Sequence, residues 1–197
     1  HLHRRTREPL MASIDQFLID ATERMEKSVQ ATHDHFNSVR TGRASAALLD
    51  RISIDYYGTP TPLRNIATIN VPEARLLTIQ PFDPSVLKQI ERSIMESDLG
   101  LQPSTDGKVI RLPIPQLTEE RRKEYVKVVR QMAEEGRVAV RNVRRDAMRH
   151  LEELVKSGEA GDDEERAAEA RVQKLTDDHI GKIDDLLKHK EADIMEV

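Results

Sequence analysis

The sequence predicts an α+β protein: an elongated antiparallel three-helix bundle interrupted by a small inserted α+β (β/α/β) domain. Two patterns carry that reading. Three long stretches repeat apolar residues every three or four positions, and one stretch between the first and second switches to a period of two. Composition agrees. A chain 38% hydrophobic and 34% charged is too polar for one large globule and too apolar for disorder. With 3% aromatics and no tryptophan, its cores must be aliphatic, as in bundles packed through leucine, isoleucine, valine and alanine.

Residues 1–10 are basic, contain Pro9 and lack an apolar period. They read as a leader or tag outside the fold, with Met11 opening the first helix. From there Ile14, Leu18, Ala21, Met25, Ser28, Thr32, Phe36 and Val39 step by three and four, which predicts one helix over roughly 13–41. The period then changes. Ile52–Tyr56 alternates like a strand, Gly58–Pro62 turns the chain, and Ile66–Val71 and Leu76–Pro81 read as further strands. Asp83-Pro84 opens a helix whose apolar face is Leu87, Ile90 and Ile94, and Val109–Ile114 closes the sheet.

Thr118-Glu-Glu caps a second long helix, running to Lys156 through Tyr125, Val129, Met132, Ala139, Val143, Leu151 and Leu154. At about 1.5 Å per residue it is nearly 60 Å long, so only helices of similar length can flank it. Ser157–Asp163 supplies the stop and the next cap. The third helix runs over 164–196 through Ala168, Val172, Leu175, Ile183, Leu186 and Ile194. The bundle is therefore discontinuous, 11–41 with 118–197, and 42–117 is the insertion. Two crossings join them, at Thr41-Gly42 and Leu117-Thr118; both are hinge candidates, because the glycine permits unusual backbone angles and Pro113 and Pro115 stiffen the return.

The most informative segment is Arg137-Val-Ala-Val-Arg-Asn-Val-Arg-Arg-Asp-Ala-Met-Arg149. It holds five arginines and one acid in a chain of formal net charge −4. At about 100° per residue, Arg137, Arg141 and Arg144 fall within roughly 60° of one another, and Arg130 shares their face. Val129, Met132, Ala139, Val143, Ala147 and Leu154 cluster on a separate arc. One helix thus offers an apolar stripe to its own core and a basic stripe to something outside. The run contains few i,i+4 acids to balance it, which favours nucleic-acid contact over a merely solvated charged face.

Other chemistries find little support. The absence of cysteine excludes disulfides, thiolate metal sites and cysteine nucleophiles, and suits a reducing cytoplasm. No apolar run approaches the roughly 20 residues of a membrane helix. His33 and His35 point to different faces, and His150, His179 and His189 read as scattered surface residues, so neither a metal site nor a cofactor is expected. Asp162-Asp-Glu-Glu165 reads as decoration of a helix N-terminus. No phosphate-binding glycine loop appears, and no enzyme is predicted. A helical adaptor with a display module is the rival reading; binding insensitive to salt and ribosomes would mark it.

Five motifs together carry a family resemblance. Val39-Arg-Thr-Gly-Arg-Ala44, Asp55-Tyr-Tyr-Gly-Thr-Pro60, Ser97-Asp-Leu-Gly-Leu101, Pro115-Gln-Leu-Thr-Glu-Glu-Arg-Arg-Lys123 and Arg137–Asp146 resemble bacterial ribosome recycling factors, in order, from Ile14 to Val197. Ala46 and Gln116 depart from the proline many members carry there, and neither change removes a basic residue. The resemblance implies a two-domain, L-shaped monomer with roughly the outline of a tRNA. It implies a cytoplasmic factor that binds the post-termination ribosome. With elongation factor G and GTP, such factors separate the subunits and free mRNA and deacylated tRNA. It also implies that the bundle faces large-subunit rRNA through Arg40, Arg43, Arg141, Arg144 and Arg145, with Arg137 beside them, and that the insertion swings about its linkers to meet elongation factor G. Structured RNA is read largely through shape and backbone, which suits arginine forks and few aromatics.

Overall fold

The structure, a computed structural model, describes the backbone from Arg7 to Glu196 and side chains from Ile14 onward. It contains four α-helices: α1 (Arg7–Asn37), α2 (Leu87–Glu96), α3 (Glu119–Lys156) and α4 (Asp162–Met195). Six strands lie between α1 and α3: β1 (Ser53–Tyr56), β2 (Thr59–Pro62), β3 (Ala67–Glu73), β4 (Leu76–Pro81), β5 (Ser104–Thr105) and β6 (Ile110–Pro113). Two compact units result, one formed by the chain through Phe36 with Lys127–Ala192, the other by Asn37–Val126 with Asp193–Val197.

In the first unit three helix segments pack along their lengths. Phe17 stacks on His150, Arg24 pairs with Asp146, and Thr32 abuts Gly136, so α1 and α3 run antiparallel. Arg130 meets Glu191 and Arg137 meets Asp184, so α3 and α4 are antiparallel as well. Ile14, Leu18, Ala147, Leu151, Leu154, Ala168 and Val172 form an aliphatic cluster at one end of this unit. The α3–α4 connection is a Schellman turn. Gly158 (φ +74°) donates to the Val155 carbonyl and Glu159 to that of Leu154, satisfying the last carbonyls of α3.

Two expectations about helix limits change. Helix α1 begins at Arg7, four residues before Met11, because Pro9 in a first turn lacks only an N–H that would be unbonded anyway. The rest of the supposed leader, residues 1–6, lies outside the described residues. At its other end α1 stops at Asn37 rather than near Thr41, because Asn37 and Ser38 are residue types that favour turns over helix interiors.

His179 is also corrected. It is not a surface residue but 3% exposed, on the buried stripe with Val172, Thr176 and Ile183. Its Nδ1 donates to the Leu175 carbonyl at 2.6 Å. Thr32 and Thr176 likewise donate to carbonyls four residues back, at 2.9 and 2.8 Å. Thr32, Thr176 and the Nδ1 of His179 are thus satisfied within their own helices, although His179 Nε2 is left without a partner.

The second unit has a four-stranded antiparallel sheet, ordered β3-β4-β6-β5, and a separate β1-β2 hairpin. Leu77 pairs with Leu112 and Ile79 with Ile110, so one face of the sheet turns Leu and Ile inward, against Leu87, Ile90 and Ile94 of α2. Asp83 accepts from Ser85 N and so caps the single 3₁₀ turn that leads into α2. The segment expected to be only a turn, Gly58–Pro62, is instead mostly strand. Thr59–Pro62 pairs with Ser53–Tyr56, and the turn shrinks to Tyr57-Gly58, both with positive φ (51° and 82°). That is the primed geometry two-residue hairpins prefer, and the two prolines are tolerated because β2 is an edge. Tyr56 packs partly against the core whereas Tyr57 is 83% exposed, the in-and-out split alternation predicts.

Candidate nucleic-acid interface

Helix α3 buries Val129, Ala133, Gly136, Val140, Val143, Ala147, Leu151 and Leu154. Met132 and Ala139, expected on that stripe, are only half-buried. At about 100° per residue the buried arc is therefore rotated by roughly 35° toward the arginines. The helix presses against its neighbours through small residues, and Gly136 carries no apolar signal in a pattern count. Rotation separates the arginines into two groups. Arg137 and Arg144 flank the core, whereas Arg141, Arg145 and Arg149, at successive i,i+4 steps, look outward.

Hydrogen bonding follows that division. Arg137, its side chain 20% exposed, is held by Asp184 at 2.7 Å and Glu134 at 3.1 Å. Arg130 bonds Glu191 at 2.6 Å. Arg144 Nε donates to Gln173 Oε1 at 2.9 Å, and Gln173 in turn donates to Asp177. These contacts tie α3 to α4. The balancing acids that the run itself lacks come from one turn upstream and from the neighbouring helix. Hydrogen bonds from Arg137 and then Arg141 hold Glu134 below the ordinary carboxylate range. The clamp is therefore charged at neutral pH and loosens only as acid carries the solution through that lowered value.

The outer row differs. Arg141 shares Glu134 at 3.2 Å and remains 44% exposed. Arg145 and Arg149 are exposed, with no side-chain partner among the described residues. The one acid inside the run, Asp146, pairs with Arg24 of α1 and does not quench them. Three guanidinium groups spaced by one helical turn, about 6 Å apart, approximate the phosphate spacing along a nucleic-acid strand. Arg149 was in view in the sequence. It was not among the expected contacts; its i,i+8 relation to Arg141 is the signal that could have found it.

Arg40 and Arg43 belong to the second unit, and Arg43 is ion-paired with Glu196. The crossing residues lie there too. Gly42 has φ +80°, and Leu117 N is 3.6 Å from where a β-carbon on Gly42 would sit, so the outgoing and returning chains run side by side. Thr118 caps α3, its Oγ1 accepting from Arg121 N at 3.1 Å and its carbonyl from Arg122 N. Among the described residues no group of three or more His, Asp or Glu is placed to hold a metal, and no helix is long and apolar enough to cross a membrane.

Comparison with known proteins adds to this geometry. The family described as "Ribosome recycling factor" matches residues 32–195. A ribosome-recycling factor of Rubrobacter xylanophilus is 57% identical over 180 residues, which cover 91% of this chain and 97% of that protein. One from Geobacillus kaustophilus is 55% identical over 92% of this chain and 98% of its own. A solution structure of the ribosome recycling factor superposes with a TM-score of 0.76 at 41% identity, covering 93% of this chain and 98% of that one. A second match, at a TM-score of 0.68 and 44% identity over 93% and 99% of the two chains, is a Thermus thermophilus recycling factor described with Escherichia coli elongation factor G on the E. coli post-termination complex.

Proposed function

Because the chain belongs to the ribosome recycling factor family, we propose that it acts on the post-termination ribosome, docking the outer arginine row of α3 against rRNA of the large subunit. In concert with elongation factor G and GTP it promotes separation of the subunits, with release of mRNA and deacylated tRNA. It does so in the cytoplasm, as a monomer and without catalysis of its own; GTP hydrolysis belongs to the partner. The observation that carries the docking is the contrast along one helix: Arg137 and Arg144 are tied to α4, whereas Arg141 is held only by Glu134 of its own helix and Arg145 and Arg149 have no side-chain partner among the described residues.

In this reading Arg141 and Arg145, extended by Arg149, make the phosphate contacts. Arg144 borders them, and Arg137 holds α3 in place. Arg40 and Arg43 contribute from the second unit. Residues 42–117 act as the inserted domain that meets elongation factor G. Their pivots are Thr41-Gly42 and Leu117-Thr118, where regular backbone is interrupted on both sides of the insertion.

Co-sedimentation with large subunits at several salt concentrations tests the docking. Hydrogen bonds to charged groups contribute about 1.5–3 kcal/mol each, so an Arg141→Ala, Arg145→Ala double variant should bind at least about a hundredfold more weakly with an unchanged helical circular dichroism spectrum. If about three phosphates are neutralised, the wild-type log–log salt slope should be about −2 to −3, and the variant should lose more than half of it. Arg137→Ala should instead lower the melting temperature and leave the slope intact. Wild-type affinity in the double variant would remove α3 from the interface.

A further inference from the structure

We propose that the second unit carries a binding pocket for a phosphate group apart from the α3 row, walled by Arg75, Arg122 and Arg43, the last shared with the proposed docking surface. These residues lie far apart in sequence and come from three elements: the loop after α1, the β3–β4 turn and the first turn of α3. They converge on a cavity of about 440 Å³, within the range of small-molecule sites. Glu196 is the acidic residue among those lining it, and it pairs with Arg43. Three guanidinium groups against one carboxylate leave a net charge of about +2, which suits phosphate oxygens better than a second carboxylate.

Two further observations point to an anion as the occupant. Arg122 Nε is shielded from solvent and has no hydrogen-bond partner, an arrangement that costs free energy unless something accepts from it. Neither Arg75 nor Arg122 has a side-chain partner among the described residues. The site is also pre-organised. The carbonyls of Ala74 and Arg75 accept from Ala44 N at 2.7 Å and Ile114 N at 2.8 Å, pinning the turn that carries Arg75 between two other segments. Glu196 then acts as an internal counter-anion, displaced from Arg43 when phosphate enters. The pocket is independent of the arginine row on α3, so the Arg141→Ala, Arg145→Ala variant keeps it.

The full chain, with ¹⁵N-labelled arginine, is titrated with inorganic pyrophosphate and with a hexanucleotide RNA lacking terminal phosphates, while the Arg Nε–H resonances are followed. Pyrophosphate should shift the Arg122 resonance saturably. Glu196→Gln should tighten the apparent affinity at least threefold, and Arg75→Gln should weaken it at least tenfold; both changes are at exposed positions and leave the core untouched. If the RNA moves the same resonance at equal or lower concentration, the natural ligand is a phosphodiester of an RNA strand. If only pyrophosphate does, it is a free or terminal phosphate. A shift that never saturates, or one indifferent to both Glu196→Gln and Arg75→Gln, overturns the pocket.

Discussion

Replacing Val143 by aspartate is expected to unfold the first unit. Val143 is 4% exposed on the buried arc of α3, flanked along the stripe by Val140 and Ala147. A carboxylate there would stand on a buried apolar arc, and burying an unpaired charged group costs several kcal/mol. Domains of this size are stable by about 5–15 kcal/mol, so the melting temperature should fall by on the order of 15–20 °C, or the helical signal should vanish at 37 °C. Arg144→Ala is the control one residue along the helix. It removes a single bond to Gln173 and should cost about 1 kcal/mol. Comparable damage from both variants, measured by circular dichroism at 222 nm, would mean that the faces of α3 have been misassigned.

Gly136→Leu should be as damaging for a different reason. A glycine in a helix interior is ordinarily a weakness, and replacing it gains about 1 kcal/mol of helix propensity. Here space decides the sign. A β-carbon on Gly136 would overlap Thr32 Oγ1 and stand 3.2 Å from Ile183 Cδ1, because α1 and α4 both close on α3 at this level. Leucine adds four carbons where not even one fits, and should cost about 3 kcal/mol or more. The alanine variant is diagnostic. Gly136→Ala alone should be destabilising, since Thr32 must turn away from the Ser28 carbonyl. Combining it with Thr32→Ala should restore most of the loss, a coupling a double-mutant cycle reads directly. A higher melting temperature for Gly136→Ala alone would contradict the packing.

The long helices were legible because a three-and-four apolar period over thirty residues has few other solutions, and α2 was legible from Asp83-Pro84 and its Leu-Ile-Ile face. What escaped notice depended on side chains that carry no apolar signal. Gly136 and Ala133 define the tight side of α3, yet a hydrophobic pattern passes over them, and the predicted stripe came out rotated. His179 and Thr176 occupy core positions in step with Val172 and Ile183; the first was read as a surface histidine and the second does not register in an apolar pattern. Strand β2 was hidden by Pro60 and Pro62, which are allowed only because it is an edge. At the candidate interface the arginines could be counted from sequence. Their division into inner and outer groups could not, because Asp184 and Glu191 reach them from another helix, some fifty to sixty residues along the chain.

The side-by-side passage of Gly42 and Leu117 bears on the order in which the chain folds. Contacts such as that of Thr32 with Gly136 must bridge roughly a hundred residues, and closing so long a loop is entropically costly and slow. The sheet between them closes shorter loops: its longest-range pairing, β4 with β6, joins Leu76 to Pro113, far closer in sequence than Thr32 and Gly136. Once it has formed, residues 42 and 117 are held together and the effective loop shrinks to roughly thirty residues, which lowers the closure cost by about 1 kcal/mol. The segment that divides the bundle in sequence thereby becomes the template that brings its first two helices within reach of each other.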